Sequence, residues 1–221
     1  MKILVLTSRY TATRDIINED FGRQTRLFEA LRKLNHEIDF FCADYKKFEN
    51  KNVKLHGINV LIRPFGFRHF YKFINELNKT LKSKKYDLII ATSDPLWGVF
   101  GYYFAKKHKI RFLYDLHDNY ETYMTYRIPL FGLIDRRIIK KADIITAISN
   151  YLADYAIGIN PKAKVFLIPN GIDLQKFQVS DHKLQTDFKF SGQKDNTIIT
   201  VSRLVTKNGL GDLIEAFHIL N

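Results

Sequence analysis

Apolar, β-branched segments alternate with helical patterns along almost the whole chain, and this alternation restricts the fold more than any other feature. Most of the apolar segments are continuous, which is typical of strands buried on both faces of a sheet. Strands that alternate with helices form a doubly wound, mostly parallel α/β sheet with right-handed crossovers. Seven such strands are predicted, at Lys2–Thr7, Ile38–Cys42, Asn59–Ile62, Leu88–Thr92, Phe112–Leu116, Ile144–Ile148 and Val165–Ile168.

Helical spacing of apolar residues fills the intervals between these strands. Gly98 and Gly101 lie inside one of the helical patterns, where we expect them to permit close packing of the helix on the sheet. The strands and helices together predict one α/β domain over residues 1–177. The predicted helices cover Leu27–Leu34, Phe70–Leu81, Leu96–His108, Ile134–Lys141 and Tyr151–Ile157.

The last part of the chain has the pattern of a second α/β domain that is only begun. A strand at Thr197–Ser202 is followed by a helical pattern at Gly211–Leu220. One strand and one helix cannot bury their own apolar faces, so we expect residues 196–221 to be the start of a truncated domain. The polar residues 178–195 are predicted to form the linker.

Composition excludes several classes of protein. With 46% hydrophobic residues the chain can bury a core, and its single cysteine, Cys42, excludes an intramolecular disulfide and fits a reducing compartment. No apolar run reaches the roughly 18–20 residues that span a bilayer. The amino terminus is typical of a first strand and too short in apolar residues for a signal peptide. We therefore expect a cytoplasmic protein, peripheral to a membrane if it binds one.

The net charge of +12 indicates an anionic partner. Residues 63–85 hold seven Lys and Arg against Glu76, with aromatic and aliphatic residues at helical spacing. This pattern fits a helix at an anionic membrane surface, but it favours an ordinary helix packed on the sheet, since any layer helix needs such a stripe. The chain has no recognised nucleic-acid motif, so nucleic acid is not expected. A second basic cluster at the end of a helix, where cations favour the helix dipole, holds Arg136, Arg137, Lys140 and Lys141.

Polar side chains follow strand after strand. Ligands of parallel sheets bind beyond the carboxyl ends of the strands, so these positions predict a binding site. His117 is the sharpest candidate, because a neutral imidazole can orient a sugar hydroxyl or a phosphate and can take a proton near neutral pH. A hydrogen-bonded structural histidine is the alternative. The positions are Ser8, Arg9, Ser93, Asp94, His117, Asp118, Ser149 and Asn170.

Glycine motifs and ligand spacings exclude other chemistries. The chain lacks G-x-G-x-x-G after its first strand and lacks G-x-x-x-x-G-K-[ST], which argues against a dinucleotide-binding oxidoreductase and a P-loop NTPase. No spacing of His, Cys or paired carboxylates indicates a metal. Gly22 precedes a helix, where backbone N–H groups can approach an anion and Arg23 adds a donor.

Five segments together resemble a known family. They are KILVLTSRY…FGRQTRLFEALRKLNHEIDFF, FLYDLHDN, KADIITAIS, IPNGIDLQKF and VSRLVTKNGLGDLIEAF. The chain resembles the amino-terminal domain of a GT-B glycosyltransferase of the family 4 type. The resemblance implies the Rossmann-like half of a GT-B fold and a retaining enzyme without a cofactor. Such an enzyme transfers a sugar from a nucleotide-diphosphate sugar to a saccharide or lipid-linked acceptor, here in cell-surface polysaccharide biosynthesis.

The resemblance also implies roles for single residues. His117, with its neighbour Asp118, would act in catalysis near the transferred sugar. Gly22, Arg203 and Lys207 would bind the donor phosphates, although Phe21 replaces the first glycine of the pair that the family often has. The acceptor side would be lined by Ser8, Arg9, Arg23, Ser93, Asp94, Ser149 and Asn170.

The family's nucleotide pocket and its E-x7-E motif have no counterpart in this chain. We therefore expect the chain alone to be inactive and to need the missing carboxyl-terminal domain or a partner subunit. Two other functions stay open: a non-catalytic module that docks an acceptor or a membrane, and a GT-B nucleotide-sugar epimerase.

Overall fold

The computed structural model describes residues 1–11, 14–19, 22–171, 198–202, 204 and 208–220. The chain divides into two compact units, Met1–Ile172 and Asp173–Asn221. The predicted linker 178–195 lies outside the described residues, so its limits stay a prediction.

The first unit is built on one eight-stranded sheet. Its order is β10-β9-β8-β7-β1-β4-β6-β5, and every neighbouring pair is parallel except β5 and β6. Strands β2 and β3 form a separate antiparallel pair. The strands are β1 Lys2–Ser8, β2 Tyr10–Thr11, β3 Arg14–Asp15, β4 Glu37–Asp44, β5 Lys51–Leu55, β6 Ile58–Pro64, β7 Leu88–Ala91, β8 Arg111–Leu116, β9 Ile144–Ala147 and β10 Val165–Leu167.

All seven predicted strands of this unit are confirmed, and the mostly parallel α/β class with them. The prediction omitted β5, whose sequence KNVKL is too polar for a buried strand. It lies at the edge of the sheet, where one side of a strand faces solvent and polar residues are tolerated.

Five helices cover the sheet. They are α1 Gly22–Lys33, α2 Phe70–Ser83, α3 Pro95–His108, α4 Phe131–Lys141 and α5 Asn150–Ile159. Side chains of α2 to α5, such as Phe73, Phe104, Ile138 and Leu152, belong to one core cluster, while Phe28 of α1 belongs to a second cluster. Because alternate residues of the central strands enter the two clusters, the sheet is buried on both faces.

The glycines of α3 bring that helix close to the sheet, as predicted. A Cβ atom added at Gly98 would lie 2.5 Å from the ring of Tyr114, and one added at Gly101 would lie 2.7 Å from the ring of Phe112. Helix α3 is therefore packed too closely for any larger residue at these two positions.

Helix α2 packs on the sheet, as an ordinary layer helix does. Its apolar residues Phe73, Leu77 and Leu81 are buried. The aromatic side chains just before and within its first turn are different, because Phe67 is fully exposed and Tyr71 nearly so. The apolar stripe of residues 63–85 is therefore packed in the core, and only the aromatic side chains at its amino-terminal end are exposed to solvent.

In the second unit, α6 spans Leu210–Leu220 and confirms the predicted helix. The predicted strand at Thr197–Ser202 is wrong for residues 198–202, none of which lies in a strand. These residues are exposed, and the described part of this unit offers no neighbouring strand to bond with. None of the described helices is both long and apolar enough to cross a membrane.

Candidate functional site

Seven parallel strands end at one edge of the sheet, which we call the carboxyl edge. Their registers pair Leu6 with Ala91, Ala91 with Tyr114, and Leu116 with Ala147. The segments that follow β1, β7, β8 and β9 therefore meet at this edge, and they carry most of the predicted site residues.

His117 lies at the centre of this edge. Its Nδ1 is 3.2 Å from Oγ1 of Thr92, 3.3 Å from the hydroxyl of Tyr120 and 3.4 Å from the backbone nitrogen of Ser93. A backbone N–H only donates, so Nδ1 accepts and the proton of the neutral ring lies on Nε2. Nε2 is buried and has no hydrogen-bond partner among the described residues. One N–H donor is thus left for a ligand.

Burial lowers the pKa of His117; the carboxylates of Asp115 and Asp118 oppose this effect, while the Arg23 guanidinium reinforces it. The ordinary pKa of histidine is about 6.5, so the ring is neutral at pH 7. A neutral ring with its proton on Nε2 can donate to a sugar hydroxyl or a phosphate oxygen. It does not supply a positive charge.

Asp115, inside β8, connects three elements beneath His117. Its carboxylate accepts from Oγ1 of Thr92 at 2.9 Å, from Oγ1 of Thr146 at 2.6 Å and from Nη2 of Arg23 at 2.7 Å. Asp115 is not among the residues predicted from the sequence. The available signal was a carboxylate in an otherwise apolar strand, which needs a buried partner.

Arg23 and Gly22 begin α1 beside this carboxylate. Arg23 also donates to the backbone oxygen of Ile168 at 2.6 Å, so both terminal nitrogens of this predicted acceptor-side residue have protein partners. Gly22 has φ 39°, and a Cβ atom built on it would have no neighbour within 4 Å. The backbone at Gly22 therefore faces open space, which suits the approach of an anion.

Ser93 bonds to the end of β1 at this edge, and Ser8 bonds to helix α3. Oγ of Ser93 accepts from the Ser8 N–H at 3.0 Å and lies 3.1 Å from Oγ1 of Thr7. Oγ of Ser8 accepts from Nε1 of Trp97 at 2.7 Å. Ser93 adopts φ 78°, a conformation that is strained for a residue with a Cβ atom. Both serines thus fix the backbone beside His117.

Arg9 is buried, with 1% of its side chain exposed. Its guanidinium forms ion pairs of 2.9 Å with each of Asp15, Asp44 and Glu49. Burial acts against the charge, but the hydrogen bonds that Arg9 donates to Asp15 and Glu49 hold its pKa above its ordinary value. The structure therefore places this predicted acceptor-side residue, which directly follows β1, in an internal network with β3 and β4.

Asp94 caps α3, and its Oδ1 accepts from the Leu96 N–H at 2.9 Å. Burial raises the pKa of Asp94 to about 6, and the charge of Asp135 acts in the same direction. Burial is the main cause of the raised pKa values of Tyr45, Tyr120 and Tyr123, and the charge of Asp94 acts in the same direction. Asp94 thus lies near tyrosines, one of which, Tyr120, contacts His117.

The remaining predicted residues are Asp118, Ser149, Asn170, Arg203 and Lys207. Asp118 accepts from the Asn119 N–H and from the Tyr123 hydroxyl, Ser149 caps α5, and Asn170 is exposed beyond β10. Arg203 and Lys207 lie outside the described residues. In the described ranges, no group of three or more His, Cys, Asp or Glu residues is placed to hold a metal ion. The ligand roles given to these residues stay predictions.

Known proteins resemble this chain in sequence. The model of "Glycosyltransferase Family 4" matches residues 25–176. An alpha-monoglucosyldiacylglycerol synthase of Acholeplasma laidlawii is 25% identical over 216 residues, which cover 86% of this chain and 53% of that protein. The protein of the same name from Streptococcus pneumoniae is 24% identical and covers 85% and 46%. The chain thus spans about half the length of the curated relatives it matches.

Solved structures share the fold. HepE of Anabaena, in complex with UDP, superposes with a TM-score of 0.57 at 17% identity, over 82% of this chain and 47% of that one. The catalytic domain of starch synthase IV from Arabidopsis thaliana, bound to ADP and acarbose, gives 0.53 at 16% identity, over 79% and 52%. The UDP-GlcNAc 2-epimerase of Methanocaldococcus jannaschii gives 0.52 at 17%, over 77% and 46%. The Rossmann-like half of a GT-B fold is thereby confirmed.

Proposed function

This chain belongs to Glycosyltransferase Family 4, and we propose that it is the acceptor-side half of a retaining enzyme that moves a sugar from a nucleotide-diphosphate donor to an acceptor hydroxyl. The observation that carries the proposal is the orphaned Nε2–H of His117 at the carboxyl edge. An N–H donor buried without a partner costs free energy unless a ligand satisfies it. A sugar hydroxyl oxygen is such a ligand.

We assign the acceptor to the polar groups beside His117. Asp94, with a pKa of about 6, can accept a hydrogen bond from an acceptor hydroxyl, and Tyr45, whose side chain is 43% exposed, can contact a sugar or polyol. Asp118 and Ser149 stand at the ends of the neighbouring strands. The donor phosphates are assigned to the amino terminus of α1 at Gly22, with Arg203 and Lys207 as the basic pair.

We propose a lipid as the acceptor class, with the product a cell-surface glycolipid or lipid-linked glycan. Both curated relatives bear a name that contains diacylglycerol. The exposed Phe67 and Tyr71 at the start of α2, among the cations of residues 63–85, suit the surface of an anionic membrane. The enzyme would then work as a peripheral protein at the cytoplasmic face. Because the curated relatives are about twice as long, we also propose that turnover needs their other half or a partner subunit.

The test replaces His117 in the complete enzyme and measures transfer of labelled sugar to a diacylglycerol or glycolipid acceptor. His117→Ala should lower kcat by about 10²-fold or more, since it removes a donor to the reacting sugar. His117→Gln keeps an N–H donor and should retain part of the rate. His108→Ala is the matched control, because His108 lies at the far end of α3 and bonds to Asn78.

Unchanged kcat for His117→Ala, at unchanged stability, would contradict the catalytic role. Product analysis separates the other functions. Isomerised nucleotide-sugar without an acceptor would indicate an epimerase, and acceptor binding without turnover in any combination of domains would indicate a docking module.

A further inference from the structure

Gln24 is a polar residue in the core-facing stripe of α1. It lies one turn before Phe28 on the same side of the helix, and the two side chains are buried, with 5% and 2% of their surface exposed. Leu31 continues this stripe against the same core cluster, so an apolar residue at position 24 would complete it. The catalytic and phosphate-binding groups proposed above do not include this glutamine.

One end of the Gln24 carboxamide is held by the protein. Its Oε1 accepts from the hydroxyl groups of Thr7 in β1 and Thr11 in β2, both at 3.4 Å. The other end, Nε2, is buried and has no hydrogen-bond partner among the described residues. Turning the amide round would leave Oε1 without a partner instead, so one end is unsatisfied in either orientation. A buried amide end without a partner costs free energy, and a purely structural role for Gln24 does not explain that cost.

A short chain of contacts joins Gln24 to His117. Oγ1 of Thr7 lies 3.1 Å from Oγ of Ser93, and the Ser93 N–H donates to Nδ1 of His117 at 3.4 Å. Each end of this chain carries a buried N–H group without a partner among the described residues, on Nε2 of Gln24 and on Nε2 of His117. Two such donors, both connected to Ser93 at the carboxyl edge, indicate one ligand that satisfies both.

We infer that Gln24 is a second ligand-binding residue of the carboxyl edge, and that its Nε2 donates to a hydroxyl oxygen of a sugar or polyol in contact with His117. Both donors are uncharged at pH 7, and uncharged donors suit a hydroxyl oxygen, whereas charged donors bind a phosphate more strongly. The guanidinium of Arg23, next to Gln24 in α1, is already paired with Asp115. The open space at Gly22 leaves room for such a ligand at the start of α1.

This role for Gln24 rests on the proposed function, because it adds a contact to the same site. It also gives that site a means of selection. A site that binds a substrate hydroxyl group disfavours ligands that lack it, since its own buried polar group is then left unpaired. The hydroxyl group belongs either to the sugar of the donor or to the acceptor, and the binding of each can be measured without turnover.

Gln24→Leu in the complete enzyme, with equilibrium binding of two pairs of probes, is the test. The complete probes are UDP-glucose and 1,2-dioctanoylglycerol. Their truncated partners are UDP, which lacks the transferred sugar, and 1,2-dioctanoylpropanediol, in which hydrogen replaces the hydroxyl group. The variant should raise the dissociation constant of one complete probe by about 5–10-fold, as expected for one hydrogen bond between uncharged groups. The truncated partner of that probe should change by less than about twofold. The pair that responds shows whether the donor or the acceptor carries the hydroxyl group.

Three further measurements separate binding from folding. Leucine completes the apolar stripe of α1, so Gln24→Leu should not lower the midpoint of urea unfolding. Gln24→Glu keeps an oxygen for Thr7 and Thr11 but replaces the NH2 donor by a carboxylate that only accepts, so it should weaken the same complete probe. Phe28→Leu is the matched control, because it disturbs the same face of α1 and removes no hydrogen-bonding group. It should lower the free energy of unfolding and leave both pairs of dissociation constants within about twofold of the parent.

The inference is wrong if Gln24→Leu leaves both complete probes within about twofold of the parent, if it weakens both members of a pair equally, or if the parent binds neither complete probe. Binding that depends on Gln24, but without transfer of sugar in the complete enzyme, would contradict the proposed function alone.

Discussion

Arg9 is the largest fully buried side chain among the described residues, and it forms ion pairs with three carboxylates. Burial acts to raise the pKa of Asp15, but hydrogen bonds from Arg9 outweigh it and the pKa is lowered. The pKa of Asp44 is also lowered, and there the backbone N–H groups of Lys46, Lys47 and Glu49 contribute more than Arg9 does. Removing one member of such a network leaves the others charged and unpaired. We therefore expect Arg9 to contribute mainly to the stability of the fold.

Arg9→Met should lower the free energy of unfolding by about 3–5 kcal/mol, because Asp44 stays buried without its cation. Urea denaturation, followed by the fluorescence of Trp97, measures this loss. Arg14→Met is the matched control on the adjacent strand β3. Arg14 is exposed and lies 4.0 Å from Glu19, so its replacement should cost at most about 1 kcal/mol. Equal losses for the two variants would contradict the buried network.

The sequence could predict at which edge of the sheet the site residues lie, but not which residues they bond to. Ser8, Ser93 and His117 were placed at one edge because parallel strands fix which residues follow their ends. Their partners were not predictable, since the bond from the Ser8 N–H to Ser93 and the bond from the Ser93 N–H to His117 join residues far apart in the chain. Asp115 was missed for the same reason, because its three donors come from three other elements.

At the scale of elements, helix α3 depends on its glycines. Its outer face carries exposed Tyr103, while the glycine side lies against the rings of Tyr114 and Phe112. The helical pattern and the close approach were both predictable from the sequence. The partner rings were not, because the register between helix and sheet is set by packing.

Gly98→Ala should lower the free energy of unfolding by about 1–3 kcal/mol, because the added methyl group overlaps the buried ring of Tyr114. The matched control is Gly158→Ala in α5, where an added Cβ atom has no neighbour within 4 Å. There the better helix propensity of alanine should raise stability by about 0.5–1 kcal/mol. Thermal or urea unfolding of both variants gives the comparison, and effects of the same sign would contradict the packing.

The strand prediction failed in two opposite ways, since it omitted edge strand β5 and wrongly included residues 198–202. The sequence of β5 is polar, yet antiparallel bonds to β6 hold it at the edge of the sheet. Residues 198–202 are apolar, yet they lie in no strand. A strand is defined by its neighbour as well as by its own residues, and a local pattern carries no information about that neighbour.

Across the whole molecule, different titratable groups make the free energy of unfolding change with pH in opposite directions. Burial raises the pKa of Asp94 and of Asp135, so the folded protein takes up these protons more readily than the unfolded chain. Burial lowers the pKa of His117 and of His108, so there the unfolded chain takes up protons more readily. The total profile between pH 4 and 7 therefore mixes opposite slopes, and only a difference between variants isolates one group.

Asp94→Asn isolates the strongest of the carboxyl effects. In the parent, the folded pKa of about 6 stands above the unfolded value of about 3.9, so this group's stabilisation is complete below pH 4 and is lost as the pH rises through 6. As the pH rises from 4 to 7, the free energy of unfolding of the variant should therefore increase relative to that of the parent by up to about 3 kcal/mol. Asparagine caps a helix about as well as aspartate does, so the cap adds only a constant offset.

Urea titrations at several pH values measure this difference, and the fluorescence of Trp97 reports on the first unit because its indole is buried there. Asp154→Asn, an exposed carboxyl on α5, is the control and should give a flat difference. Parallel curves for Asp94→Asn and the parent would mean that Asp94 is solvated at the carboxyl edge. The proposed hydrogen bond from an acceptor hydroxyl would then form in competition with water, and the assignment of Asp94 to the acceptor would lose its physical basis.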